Sequence, residues 1–511
     1  MSRLDRLAIL ISLLGFLLAA LITDRIYERM AHLEDEMAFV WQAQAISKRY
    51  LTLPSPPDPH SFLVPFVVDY QGQRFGKYPL GWPALLAVGI LLGGRHLVNP
   101  LLSGLALWLI YRLGKRTFGE TVGLLAAGLT LASPFFLLNA GSLLSHPFGL
   151  VLSASFALAW LASWEAGPRN RWLPAANSWL TTTVAALALG VLGLTRPLTA
   201  VGLSLPFIIH GLYLFIRGDR RVRIQLLAFC AIVAGVGSLH FLWQFAVSGD
   251  PWLNPYSLWW PYDKVGFGPG FGRIEGGHTL RQAWINTRHS LWIGWRDLFG
   301  WGAYSWIFLP FGLISVIRHR QGKALLLASV YPFLVVVYLA YWIGSWLFGP
   351  RYYFEGLYSL TLLSAAGIAF FAGWPARPEE AWQGKTGWLR ARPLLVTALL
   401  TCLLAASLLF YTPMRLEGMK GLYGVSRSRL GPFLTPEAQA VAPALVIVHA
   451  DKWTEYGALL ELQDPFLNTP FIFVISRGAR PDNALKELFP QRTVLHYYPD
   501  EPHNLYTAPR R

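Results

Sequence analysis

Apolar runs about as long as a bilayer is thick recur along this chain, and they restrict its fold more than any other feature. Residues 7–23, 97–111, 121–138, 147–163, 197–216 and 224–247 each approach the roughly 20 residues that a helix needs to cross hydrocarbon. Lipid offers no water to backbone N–H and C=O groups, so each run is expected as a helix that satisfies its own backbone. With 54% hydrophobic and only 14% charged residues, and a mean hydropathy of +0.40, the chain is too apolar for an ordinary soluble protein. The expected fold class is an all-α polytopic membrane protein.

The formal net charge of +15 could serve nucleic acid or anionic lipid, but its distribution argues for membrane topology. Arg112, Lys115 and Arg116, then Arg169 and Arg171, then Arg217, Arg220, Arg221 and Arg223, then Arg318, Arg320 and Lys323 all fall in short gaps between apolar runs. Cytoplasmic loops carry such an excess, so no nucleic-acid partner is expected. Cys230 and Cys402 lie inside apolar runs and read as packing residues, not as a disulfide framework or metal site. The first run follows Arg3 and Arg6 without a small-residue cleavage site and reads as an uncleaved anchor.

With Arg3 and Arg6 in the cytoplasm, residues 24–80 form a first outer loop. The next apolar piece, 81–94, is short and opens Gly81-Trp82-Pro83, which predicts a surface-lying or re-entrant helix. If it does not cross, every later basic loop falls inside. Spans at 97–113, 121–139, 147–164, 179–194, 197–216, 224–247, 301–317, 324–341, 352–373 and 393–411 then bring the total to eleven. Residues 248–300 become a second large outer loop. The tail, 412–511, follows as a small extracytoplasmic α/β domain after a membrane domain of 1–411. Within the tail, Ala444 to His449, Pro470 to Ser476 and Thr493 to Tyr498 predict strands, with helix near Glu455 to Leu462 and Asn483 to Leu488.

This topology gathers Asp35, Glu36, Lys77, His146, Arg196 and Arg351 on the outer face. Ionisable groups at membrane-helix ends are costly to leave unpaired and so are functional candidates, although any one of them can simply anchor a helix end. Glu34-Asp35-Glu36 opens a predicted amphipathic helix through Ala45, where acidic side chains also favour the positive helix end. In Gly76-Lys77-Tyr78-Pro79-Leu80 the lysine is placed to hold a phosphate or to snorkel. The loop 248–300, with Asn254-Pro255-Tyr256 and Trp259-Trp260-Pro261-Tyr262-Asp263, is rich in aromatics suited to sugar rings or to an interfacial belt. His278, Arg281 and Arg288 are further phosphate-contact candidates in the same loop.

Asp35-Glu36 after the first span, Lys77-Tyr78-Pro79, Ser145-His146-Pro147, Thr195-Arg196-Pro197 and Gly349-Pro350-Arg351-Tyr352-Tyr353-Phe354-Glu355 follow one another in an order that resembles the GT-C membrane glycosyltransferases. The resemblance is to the family 39 group in particular, which includes protein O-mannosyltransferases and lipid A aminoarabinose transferases, and it covers most of residues 1–411. It implies a GT-C-like architecture with amphipathic juxtamembrane helices. It also implies a polyprenyl-phosphate-linked sugar as donor and a hydroxyl-bearing lipid, glycan or protein as acceptor. The better-known relatives often carry an acidic residue where His146 stands.

On that resemblance Asp35 is the expected general base and Glu36 its orienting partner. Lys77, Tyr78, His146, Arg196, His278, Arg351 and Tyr352 are the expected substrate and phosphate contacts, with the cations stabilising charge on the departing phosphate. The expected home is a bacterial cytoplasmic (inner) membrane with the site outside. No P-loop, Rossmann glycine signature or metal-ligand spacing occurs. No cofactor is therefore assigned, and a divalent cation is left open. The alternatives are a transporter or flippase of a lipid-linked or anionic substrate, a catalytically inactive partner subunit, and a transferase using a cytoplasmic donor.

Overall fold

The computed structural model describes residues 1–164, 178–374 and 388–510; the basic loop carrying Arg169 and Arg171 lies outside these. Among the described residues, eight helices are long and apolar enough to cross a membrane. They correspond to the expected spans at 7–23, 97–113, 147–164, 179–194, 197–216, 224–247, 352–373 and 393–411. Their outward faces are mainly apolar: Leu10 and Leu17 of Arg3–Arg25 and Leu242 of Arg220–Ser248 are about 60% exposed. In water such faces would be a liability; in lipid they are the solvated surface. The chain is a multi-pass membrane protein.

The remaining three expected spans differ from simple crossings. Residues 121–139 break into Glu120–Leu131 and Pro134–Ala140, bent by 64°. Pro134 has no N–H to continue the first helix, and the Ser133 hydroxyl accepts from the Phe136 N–H at 3.3 Å to start the second. The span expected at 301–317 is the ten-residue helix Leu309–Arg318. It lies in a second bent pair with Leu280–Asp297, at 97°, so residues 248–300 are not an irregular loop throughout. The span at 324–341 becomes Gly322–Tyr338, of 17 residues. Counting each bent pair as one span gives up to ten crossings, against eleven expected.

Small residues let the helices approach closely, as packing within a bilayer requires. A Cβ on Gly114 would stand 2.5 Å from the Cα of Gly123, and one on Gly104 would stand 2.8 Å from the Ser12 carbonyl. The apolar piece after Lys77 is the helix Gly81–Leu91, of 11 residues, or about 16 Å. That is too short to cross.

A hairpin, Val67–Tyr70 with Gln73–Gly76, precedes that helix. Its turn residues Gln71 and Gly72 both have positive φ, 49° and 74°, which suits the twist of a two-residue hairpin turn. Beyond the last span, Ala444–Val448 is the central strand of a sheet, parallel to Phe471–Ile475 on one side and Thr493–Tyr497 on the other. Leu505–Tyr506 pairs antiparallel at the edge. The first loop enters this layer. Phe62 is buried with Leu445, Ile447, Ile472, Val474 and Leu485, and Arg477 donates to the His60 carbonyl at 2.8 Å.

Candidate active site

The chemistry-bearing side chains converge on one cavity of about 510 Å³. It lies at the end of the helix bundle where Ser145, Arg196, Gln244, Tyr338 and Arg351 meet. The basic groups at 112–116, 217–223 and 318–323 sit on the opposite ends of the same helices.

The helix Glu34–Ser47 supplies the acids. Its cap residue, Leu33, is extended and has no side-chain acceptor, so Glu36 in the first turn reaches back instead. One Glu36 oxygen accepts from the N–H groups of His32 at 2.7 Å and Leu33 at 3.1 Å, and the other accepts from Leu143 at 2.7 Å. Burial, with the neighbouring Asp35 charge, pushes its pKa up to about 7 against those three hydrogen bonds. Glu36 is thus a tether between this helix and residues 142–144, and it does not line the cavity.

Asp35 does. Its Oδ1 accepts from the Tyr78 hydroxyl at 2.6 Å, and its Oδ2 lies 3.4 Å from Arg351 Nη2. Burial alone would raise its pKa, but Arg351, Tyr78 and Lys77 outweigh it and hold the carboxyl below its ordinary value. Glu34 also borders the cavity. There burial and the Asp35 charge push its carboxyl up to about 7, against Lys77, Arg273 and Arg351.

Lys77 follows the hairpin and points inward. Its Nζ is 3.2 Å from Asp263 Oδ2 and 3.6 Å from the Phe66 ring centre, with Tyr256 and Trp260 at 4.9 and 5.0 Å. The other Asp263 oxygen accepts from Tyr341 at 2.9 Å and Trp342 at 3.0 Å. Burial lowers the Lys77 pKa, while Asp263 opposes the shift.

Arg196 sits between the helices Ser178–Thr195 and Pro197–Arg217, where the proline at the first helical position fixes the turn. Its Nε is 3.0 Å from Glu355 Oε1, and it donates to Ser145 at 3.3 Å and Tyr338 at 3.2 Å. His146 Nδ1 meets the same Glu355 oxygen at 3.1 Å. Tyr352 stacks on Tyr338 with ring centres 5.1 Å apart.

The cavity thus brings together Asp35, Lys77, Tyr78, His146, Arg196, Arg351 and Tyr352. His278 is not among them: it is buried beside Phe267 and bonded to the Leu339 carbonyl at 2.9 Å. Arg281 and Arg288 are exposed and do not line the cavity. Sequence reasoning missed Asp263, Glu355 and Tyr338 as partners of the cations. Asp263 and Glu355 stood within the quoted segments as the acids nearest the aromatic and arginine motifs, which was the available signal. Among the described residues, no group of three or more His, Cys, Asp or Glu side chains is arranged to hold a metal ion.

The cavity offers a cationic wall, an acidic pair and an aromatic flank formed by Tyr256, Trp260, Tyr341 and Trp342. Such a site can hold an anionic group and a polar ring and can move a proton. No protein-family model matches the sequence, and no curated protein matches it. Solved structures do. The crystal structure of ArnT from Cupriavidus metallidurans in the apo state superposes with a TM-score of 0.57 at 14% identity, covering 95% of this chain and 88% of that one. The same protein bound to undecaprenyl phosphate gives 0.57 and 14%, covering 95% and 89%. The archaeal oligosaccharyltransferase AglB from Archaeoglobus fulgidus, in complex with an inhibitory peptide and a dolichol-phosphate, gives 0.50 at 12% identity, covering 90% of this chain and 64% of that one. The chain shares the fold of ArnT and of the archaeal oligosaccharyltransferase.

Proposed function

We propose that this protein is a glycosyltransferase that moves a sugar from a polyprenyl-phosphate carrier to a hydroxyl-bearing acceptor in the described cavity. The observation that carries the reading is Arg351. Its Nη2 faces Asp35, while its Nη1 is buried without a hydrogen-bond partner. A buried unsatisfied guanidinium N–H is costly, and a phosphate oxygen is the acceptor that planar donor suits best. Lys77 and Arg196 stand on the same cavity wall. All three cations favour the extra negative charge that the phosphate acquires when the sugar leaves. The fold likeness to a protein solved with undecaprenyl phosphate supports the donor class.

In this reading the donor's chain lies among the helices and its phosphate against Arg351, with the sugar against the aromatic flank. The acceptor approaches from the side of Glu34 and Asp35, one of which takes its proton. The membrane domain of 1–411 carries the reaction. The basic ends of the helices face the cytoplasm and the cavity faces the outer side of a bacterial inner membrane.

The test is transfer of radiolabelled sugar by the full chain in liposomes, from a panel of polyprenyl-phosphate sugars to a membrane-lipid and glycan extract. Transfer by wild type, with donor affinity reduced in Arg351→Ala, is the expected result. No transfer by wild type from any donor would overturn the reading in favour of a transporter or an inactive partner subunit.

A further inference from the structure

Two carboxylates adjacent in sequence border the cavity, and they are not equivalent. Asp35 has both oxygens engaged, one by the Tyr78 hydroxyl at 2.6 Å and one by Arg351 at 3.4 Å. Glu34 also lines the cavity and is only partly buried. Among the described residues it makes no hydrogen bond and no ion pair. A group that must accept a proton needs a free lone pair and a basicity near the working pH. Each Asp35 oxygen already holds one donor, whereas both Glu34 oxygens are without one.

We propose that the Glu34 carboxylate, and not Asp35, receives the acceptor proton, while Asp35 is a positioning residue that holds Tyr78 and Arg351 in place. The inference rests on the glycosyl-transfer reading above. In the step, a lone pair of the acceptor hydroxyl oxygen forms the new bond to the anomeric carbon. The bond from that carbon to the phosphate oxygen breaks, and its electron pair leaves with the lipid phosphate, which gains one negative charge. The hydroxyl proton passes to Glu34, which becomes neutral and returns it to solvent at the cavity mouth.

The environments of the two groups agree with this division. Asp35 is held below the ordinary carboxylate range by Arg351, Tyr78 and Lys77 against its burial, so it is a weak base. Burial and the Asp35 charge raise Glu34 to about 7. Neighbouring carboxyls pushed apart in this way divide acid–base roles. The charged and titratable groups around Glu34 are Asp35 and Glu36 on its own helix, Lys77 after the hairpin, Arg273 of the second large loop and Arg351. Tyr456 of the C-terminal region also lies near it, and Glu34 disfavours its ionisation. Glu36 also titrates near 7 but faces backbone N–H groups behind the helix.

The experiment is the pH dependence of kcat/KM for transfer by the full chain in liposomes, with whichever polyprenyl-phosphate sugar supports transfer by wild type. The wild-type rate is expected to rise with pH through about 7, because the base must be ionised. Glu34→Gln is expected to lose roughly a hundredfold to ten-thousandfold in rate, to keep donor affinity and to show no rising limb. Asp35→Asn is expected to be slow with the limb kept but moved to lower pH, because the Asp35 charge no longer raises Glu34, and Glu34→Asp to be slow with a limb. A limb that persists in E34Q, a limb lost in D35N, or an E34Q rate within a few-fold of wild type would overturn the inference and leave the transfer reading standing. No transfer by wild type from any donor overturns both.

Discussion

Arg351 and Asp35, 316 positions apart, meet across the cavity at 3.4 Å, and the pair leaves one guanidinium nitrogen of Arg351 facing no protein acceptor. The arginine therefore has two duties on two separate nitrogens. A lysine keeps the charge but not the fork. Arg351→Lys is expected to lose about 10- to 100-fold in kcat/KM, in line with a charged hydrogen bond worth about 1.5–3 kcal/mol. Steady-state transfer assays check this; a variant as active as wild type would show that the free nitrogen does not meet the donor.

Asp263 is the counter-ion of Lys77, and both side chains are almost fully buried. Removing one member of a buried pair leaves an uncompensated charge, at a cost of about 3–5 kcal/mol. Asp263→Asn is thus expected to lower the melting temperature in detergent markedly. Replacing both residues with apolar ones, Lys77→Met with Asp263→Leu, is expected to cost less than the single change. Thermal unfolding of the two variants and wild type decides the order.

Glu36 gives a pH signature. Its pKa is raised from 4.5 to about 7 by burial, so the folded state holds a proton more tightly than the unfolded state. The associated stability is fully present below 4.5 and is lost as pH rises through about 7. The opposite contribution of Asp35 falls below 3.8, outside this window. Between those two pH values Glu36→Gln is expected to lose less melting temperature with rising pH than wild type does. Glu34, raised by the same means, adds a further share of the same sign. Melting curves across the window, wild type against E36Q and E34Q, measure each share.

Phe62 reports on the joint between the first loop and the C-terminal sheet. It is 1% exposed in a core of five residues from 445–485, so Phe62→Ala is expected to cost about 3–5 kcal/mol. The loop 55–66 and the 444–497 layer should become protease-sensitive together. Limited proteolysis of the variant tests the coupling; cleavage of the loop alone would show that the two are independent.

Much of this architecture was legible because its cause is local. A run such as 224–247 has no fold open to it in lipid other than a helix, and the five strand residues Ala444–Val448 announce themselves by an unbroken apolar run. The bend at Ser133-Pro134 was also written locally, in a cap and a missing N–H, yet hydropathy averages over it. The site was half legible. The charge-derived topology placed Lys77, Arg196 and Arg351 at one face, but the partners Asp263 and Glu355 lie 186 and 159 positions from Lys77 and Arg196. No local rule relates such distances. Glu36 looked like an orienting partner within the site because acids at a helix start look alike; only the three N–H groups around it show that it is spent on the backbone.

The insertion of Phe62 among strands that begin 382 residues later has a bearing on biosynthesis. A ribosome delivers the first loop long before Ala444–Val448 exists, so the nascent protein must hold an exposed aromatic and an open acidic helix through the insertion of every span. The enclosing layer arrives last. A chain stalled before that point carries its membrane helices and every residue that lines the cavity, but leaves Phe62 uncovered.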